Sequence, residues 1–205
     1  MSILQRPLVL ASTSLYRRDI LAKLRLPFTQ VSPDYDEIAL PGELPNAMAR
    51  RFAAGKALAA AFIEEPGNGF MQGSIVIGSD QVVSVNGERL SKPGTVGRAE
   101  AQLSQCSGQW VTYCSALSLA SQNQTLTLEH DLYHVKFRKL TAAEIQRYVA
   151  LDQPLDCAGS IKAESLGISL ISSTRGDDIN TLYGLPLLRL AQRLREHGID
   201  PLRTL

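Results

Sequence analysis

The sequence predicts an α/β protein with a mixed sheet. Three observations point there. Apolar runs of strand length alternate with segments of helical periodicity through the first half of the chain. Two long stretches, WVTYCSALSLAS and LTLEHDLYHVKFRKL, then follow one another with only the polar QNQ between them, as an antiparallel pair would. The length of 205 residues suits a single domain with a sizeable core. Alternation favours parallel strands and an adjacent pair favours antiparallel ones, so the sheet is expected to contain both.

PLVLAS reads as a buried strand. LYRRDILAKLRL is a helix on Leu15, Ile20, Leu21 and Leu24, with Ser14 as N-cap. FTQVSP is a second strand closed by Pro33, and DYDEIALPGEL a polar loop. An Ala-rich helix runs from Pro45 to about Glu65 and GNG at 67–69 breaks the chain after it. SIVIGSDQVVSV is one or two buried strands, interrupted at Gly78-Ser79-Asp80, and VNGE is a hairpin turn. GRAEAQLSQCSG is a helix ended by glycine. TAAEIQRYVAL opens with Thr141 and Glu144 in capping-box spacing. GISLIS is a late strand, and GLPLLRLAQRLREHG the closing helix, ended by Gly198. The loop at 34–44 and the irregular stretch at 152–167 are expected to flank a cleft rather than to separate domains.

Composition narrows the function. A net charge of +1 excludes a globally basic nucleic-acid binder, and no basic stripe with interleaved aromatics is visible. No apolar run approaches the ~20 residues of a membrane span, and no leader pattern opens the chain. Cys106, Cys114 and Cys157 are odd in number, widely spaced and without a C-x-x-C, so each reads as a small buried hydrophobe in a reducing compartment, the cytoplasm. His130, His134 and His197 show no metal spacing.

The residues able to carry chemistry begin at LASTSLYRR. A strand that ends in small residues and turns into a helix makes an anion site, because free backbone N–H groups and the helix dipole point the same way. Ser12 and its neighbours add hydroxyls, and Arg17 lies one turn inside. The alternative is a plain N-cap with arginines on a solvated face. Lys56 falls on the apolar stripe Met48, Phe52, Ala59, Ala60, Ile63 of the Ala-rich helix, where a lysine either snorkels outward or points into a pocket. Lys92 stands in RLSKPG at the hairpin's end. Asp80 is an acid at the end of a buried run with Gly78 beside it, a placement that calls for a partner or a task. Glu37, in DYDE, is either a solvated loop acid or one that shares a divalent cation with Asp80. Together these suit phosphoryl or phosphoanhydride transfer. The absence of G-x-x-x-x-G-K-[ST] excludes a P-loop protein.

LASTSLYRR, DYDE, GKALA, IVIGSDQVV, SKPGT, VKFRKL, DCAGSIKAESLG and GLPLLRL follow, in order, the segments of the Maf-like proteins, and the similarity runs from about residue 7 to 200. This resemblance implies an ITPase-like (Maf/Ham1) fold: a long mixed sheet flanked by helices, with two lobes and a central cleft, in one domain over residues 1–205. It implies a cytoplasmic, Mg²⁺- or Mn²⁺-dependent pyrophosphatase, often dimeric, whose partner is a small nucleotide rather than nucleic acid or membrane. By resemblance Asp80 is the proton acceptor, Ser12, Arg17, Lys56 and Lys92 lie against phosphate, and Glu37 and Asp80 face the metal. Leu15 stands where the family usually has proline, which loosens the turn but removes no catalytic group.

Tyr16, Gln81 and Glu164 depart from the dTTP/UTP-cleaving branch toward the branch that resembles 7-methyl-GTP pyrophosphatase. The physics agrees. N7-methylation makes guanine cationic, and an aromatic face attracts a cation by ~0.5–2 kcal/mol. A carboxylate such as Glu164 accepts from guanine N1–H and the 2-amino group while balancing that charge. The alternatives are a dTTP, UTP or other modified-nucleotide pyrophosphatase, and a nucleotide-binding regulator of septum formation without turnover.

Overall fold

The computed structural model describes residues 6–61, 73–122 and 124–203. Its centre is a mixed seven-stranded sheet in the order β2-β1-β3-β5-β6-β7, with β4 also on β3. Strands β1 (Leu8–Ala11) and β2 (Phe28–Val31) are parallel neighbours, and β1 is parallel to β3 (Ile75–Val85). From β3 onward the pairing is antiparallel, through β5 (Trp110–Ser121), β6 (Gln124–Phe137) and β7 (Ile171–Arg175), with β4 (Glu88–Leu90) closing the Asn-Gly hairpin.

The three longest strands, β3, β5 and β6, are consecutive in the sheet. Helices α1 (Leu15–Ala22) and α6 (Leu187–Glu196) cover one face at one end, where Leu10, Leu21, Ile77, Leu190 and Leu194 form an apolar cluster. At the other end α3 (Val96–Cys106) and α4 (Ala142–Asp152) bury Leu103, Phe137 and Tyr148. Helix α2 (Pro45–Ala61) lies across the opposite face of the sheet. Thr141 and Glu144 close the expected capping box on α4.

Several expectations need correction. The chain does not break at Gly78-Ser79-Asp80; β3 runs through it, because ten residues from Val76 to Val85 pair with β5 without interruption. Residues 166–170 are a 3₁₀ turn rather than the start of a strand, so β7 begins only at Ile171. Helix α1 stops at Ala22, with Arg25 already in the left-handed region. A short α5 (Ile179–Leu182), capped by Asp178, was not expected. On α2 the buried face is Met48, Ala49, Phe52, Ala53, Lys56, Ala57 and Ala60, so Ala59 falls beside the stripe rather than on it. Ile63, the end of that helix near Glu65 and the GNG break lie outside the described residues.

Candidate active site

Strand β3 creates the site by what it leaves unpaired. One edge is covered by β5 throughout. On the other edge β1 pairs only as far as Gly78 and β4 only from Val83, so Ser79–Val82 face a gap between two strands. A cleft of about 740 Å³ opens there, lined from four directions: the loop after β1, the loop after β2, residues 156–164 and residues 182–184.

Alternation along β3 sends Asp80 and Val82 toward α2 and sends Ser79 and Gln81 toward α5. Gly78 lets α2 come close: a Cβ there would lie 2.2 Å from the Ala53 carbonyl oxygen. That approach brings Lys56 onto Asp80. Its Nζ lies 2.6 Å from Asp80 Oδ1 and 2.5 Å from Glu37 Oε1. Lys56 and Asp80 are 5% and 6% exposed, so this lysine points inward and does not snorkel. Glu37 is an exposed loop acid held over the pair by its neighbours. The Tyr35 ring occupies the space a Cβ on Gly55 would take, and Arg51 pairs with Glu43 and donates to the Ile38 carbonyl.

Burial raises the pKa of Asp80; the Lys56 and Arg17 charges pull against it and Glu37 adds to it. For Glu37 burial also raises, but the Lys56 hydrogen bond and the charges of Lys56, Arg17 and Lys92 prevail and hold it below the usual carboxylate range. Asp80 Oδ1 is taken by Lys56, and among the described residues Oδ2 accepts no hydrogen bond. Asp80 sits just under the cleft floor, behind Lys56, which lines it.

The loop after β1 is ordered by its own hydroxyls. Ser12 Oγ accepts from the Ser14 N–H and from Arg17 Nη1, and Ser14 caps α1 by accepting from the Arg17 N–H. Gln30 on β2 donates to the carbonyls of Ser12 and Ser14. Arg17 Nε donates to the Gly184 carbonyl at 2.9 Å, which turns the rest of the guanidinium into the cleft. Burial lowers the Arg17 pKa while Asp80 and Glu37 oppose the fall, and the group stays charged. Lys92 is exposed at the rim. Arg18 turns away to solvent and Asp19.

The far end of the cleft is different. Tyr16, Tyr113 and Tyr183 line it with Asp156, Cys157 and Glu164. The Cys157 thiol lies 3.8 Å from the Tyr16 hydroxyl. Burial raises the Tyr16 pKa and pushes the Cys157 thiol up to about 12, so both stay protonated. Partial desolvation raises Glu164; a backbone hydrogen bond opposes this, the charges of Asp152 and Asp156 add to it, and Lys162 opposes.

All the residues singled out in the sequence thus converge on one cleft or its floor: Ser12, Tyr16, Arg17, Glu37, Lys56, Asp80, Gln81, Lys92 and Glu164. Two details differ. Cys157 is half-buried in the cleft wall, not a core hydrophobe, because residues 156–158 run along the surface of the cleft. Gln81 spends its amide donors on Ser115 Oγ and on the carbonyls of Thr181 and Leu182, so it anchors the turn that carries Tyr183 and Gly184. Gln30, Ser79, Tyr113 and Tyr183 were missed. The Ser79 hydroxyl donates to the Ala116 and Gly184 carbonyls, a role no local pattern announces. Tyr183 had a weak signal: an aromatic directly before GLP.

Among the described residues no three His, Cys, Asp or Glu side chains converge as a metal cage, and no helix is long and apolar enough to cross a membrane. A sheet with a cationic, hydroxyl-lined crevice at the end of its parallel strands is the arrangement in which α/β proteins commonly hold anions. Its fold is similar to that of the Staphylococcus aureus Ham1 protein, at a TM-score of 0.50 and 15% identity over 95% of this chain and 100% of that one. The family model for Maf-like protein matches residues 7–197, and the chain belongs to that family. Relatives named 7-methyl-GTP pyrophosphatase include those of Bordetella avium, 46% identical over 96% of both chains, and Pseudomonas putida, 46% identical over 94% of this chain and 97% of that one. The Xanthomonas oryzae relative of the same name is 47% identical over 93% and 96%.

Proposed function

We propose that the protein hydrolyses 7-methyl-GTP at its α–β anhydride, releasing 7-methyl-GMP and pyrophosphate. The observation that carries this reading is the division of the cleft. Arg17, Lys56, Lys92 and the Ser12 loop gather at one end, and tyrosines with Glu164 at the other. A triphosphate needs the first and a cationic base the second.

In the proposed reaction Asp80 takes a proton from a water in line with the α-phosphorus. The water oxygen bonds to phosphorus, the bond to the bridging oxygen breaks, and pyrophosphate leaves with that electron pair. Burial suits Asp80 to the task, since an ordinary aspartate near pKa ~3.9 is a weak base. Arg17 and Lys92 offset the charge on the leaving group, and the Ser12 loop orients the phosphates. Tyr16 faces the base, and Glu164 accepts from its N1–H and 2-amino group.

The donor set fits a hard divalent cation. Glu37 and Asp80 offer carboxylate oxygens, and Mg²⁺ commonly takes one or two carboxylates, completing its shell with substrate phosphates and water. When bound, Mg²⁺ or Mn²⁺ would neutralise phosphate charge and acidify water. Lys56 balances both carboxylates, and its charge would be available to the phosphates where those oxygens held a metal. A nucleotide substrate and three free thiols suit the cytoplasm. Assembly as a homodimer belongs to the same reading and is read by sedimentation.

The test is pyrophosphate release from 7-methyl-GTP, GTP, dTTP and UTP, with Mg²⁺, with Mn²⁺ and with chelator. The expected result is metal-dependent cleavage with 7-methyl-GTP preferred. Equal turnover of GTP and 7-methyl-GTP sinks the cation–aromatic argument. Wild type no faster than Asp80→Asn with metal present points to a binding protein without turnover.

A further inference from the structure

We propose that Asp156 is a specificity-determining residue, which together with Glu164 makes the base end of the cleft select a nucleotide whose base carries positive charge. This rests on the nucleotide reading above and adds a second carboxylate to it.

Asp156 lines the cleft next to the residue expected to face the base. The Cys157 thiol bridges the two, 3.8 Å from the Tyr16 hydroxyl and 3.4 Å from Asp156 Oδ1. Glu164 lines the same end from the other side of the 3₁₀ turn Ala158–Ser160. Among the described residues neither Asp156 nor Glu164 forms a salt bridge. The contrast with the phosphate end is direct: there Lys56 answers both Glu37 and Asp80. Two carboxylates without a salt bridge facing one cleft repel each other, with the Lys162 charge only partly opposing this at Glu164, so a cation entering that space relieves both.

The chemistry of the walls says which cation. Among the described residues no third acid or histidine completes a metal-holding group there, and no phosphate would reach this end to complete one. Tyrosine faces suit an organic, delocalised cation. Among the described residues the Tyr113 hydroxyl, buried in the same wall, has no hydrogen-bond partner. The cleft is therefore polarised along its length, positive for the triphosphate and negative for the base.

The experiment compares two substrates that differ by one methyl group and one charge. The ratio of kcat/KM for 7-methyl-GTP to that for GTP is measured for wild type, Asp156→Asn and Asp156→Glu, at low and at physiological ionic strength. Asp156→Asn is expected to lower the ratio about 3–10-fold at low salt and less at high salt, since an exposed charge is screened. Asp156→Glu is expected to restore most of it. A general loss of fold or of catalysis would move both substrates and leave the ratio in place. An unchanged or raised ratio in Asp156→Asn, with wild type still preferring 7-methyl-GTP, overturns the inference alone. A wild type without that preference overturns it together with the functional reading.

Discussion

Asp80 carries two demands at once: it must be buried enough to be a base and exposed enough to reach water. At 6% exposure, with Lys56 on one oxygen, it meets the first, and Lys56 stands between it and the cleft. Activity requires the ionised form, so kcat/KM falls as pH drops through the Asp80 pKa. Burial raises that pKa, so the acid limb lies above the usual carboxylate range. The Lys56 charge lowers it, so Lys56→Met moves the limb of the residual activity to higher pH; a limb that stays put contradicts the pairing. The stability consequence has the opposite sign from an ordinary surface acid. A raised folded pKa means that the folded state holds the proton more tightly, so stability is lost as pH rises from the unfolded pKa through the folded one. Asp80→Asn removes that cost and leaves Lys56 with Glu37. We expect its pyrophosphate release to fall ~10²–10⁴-fold while its melting temperature at pH 7 is no lower than wild type. A variant that melts well below wild type would make Asp80 a structural residue.

Elements, not single residues, set the distances. Lys56 and Asp80 meet because α2 lies directly on β3, and α2 lies there because Gly78 has no side chain. Gly78→Ala places a Cβ 2.2 Å from the Ala53 carbonyl oxygen and 2.8 Å from Ala57, both on the helix backbone or its stem. The helix must move, at ~1–3 kcal/mol, and Lys56 moves with it. Urea unfolding and pyrophosphate release measure the two effects; wild-type values for both would contradict the packing account. The same scale shows where the sequence was legible. The strand–loop–helix turn capped by Ser14 and the α4 capping box announce themselves through local spacing. The continuity of β3 does not, because Gly-Ser-Asp reads locally as a break and only the partner strand β5 overrides it. Nor does the role of Gln81: its partners lie 100 and 101 residues away, on a helix of four residues too short to have a period.

Over the whole molecule the cleft exists because β1 and β4 share one edge of β3 and neither covers Ser79–Val82. That arrangement is a property of topology, and no stretch of sequence states it. What the sequence does state is which residues are unusual on a purely structural account: a lysine on an apolar stripe, an acid at the end of a buried run, hydroxyls at a strand's end. The fold then brings these together from segments scattered between Ser12 and Gly184. The central claim is that water, deprotonated by Asp80, attacks the α-phosphorus. Cleavage of 7-methyl-GTP in ¹⁸O-labelled water, with mass analysis of both products, tests it most directly. The account predicts one ¹⁸O atom in 7-methyl-GMP and none in pyrophosphate. Label in pyrophosphate, or release of single phosphate groups, would contradict it.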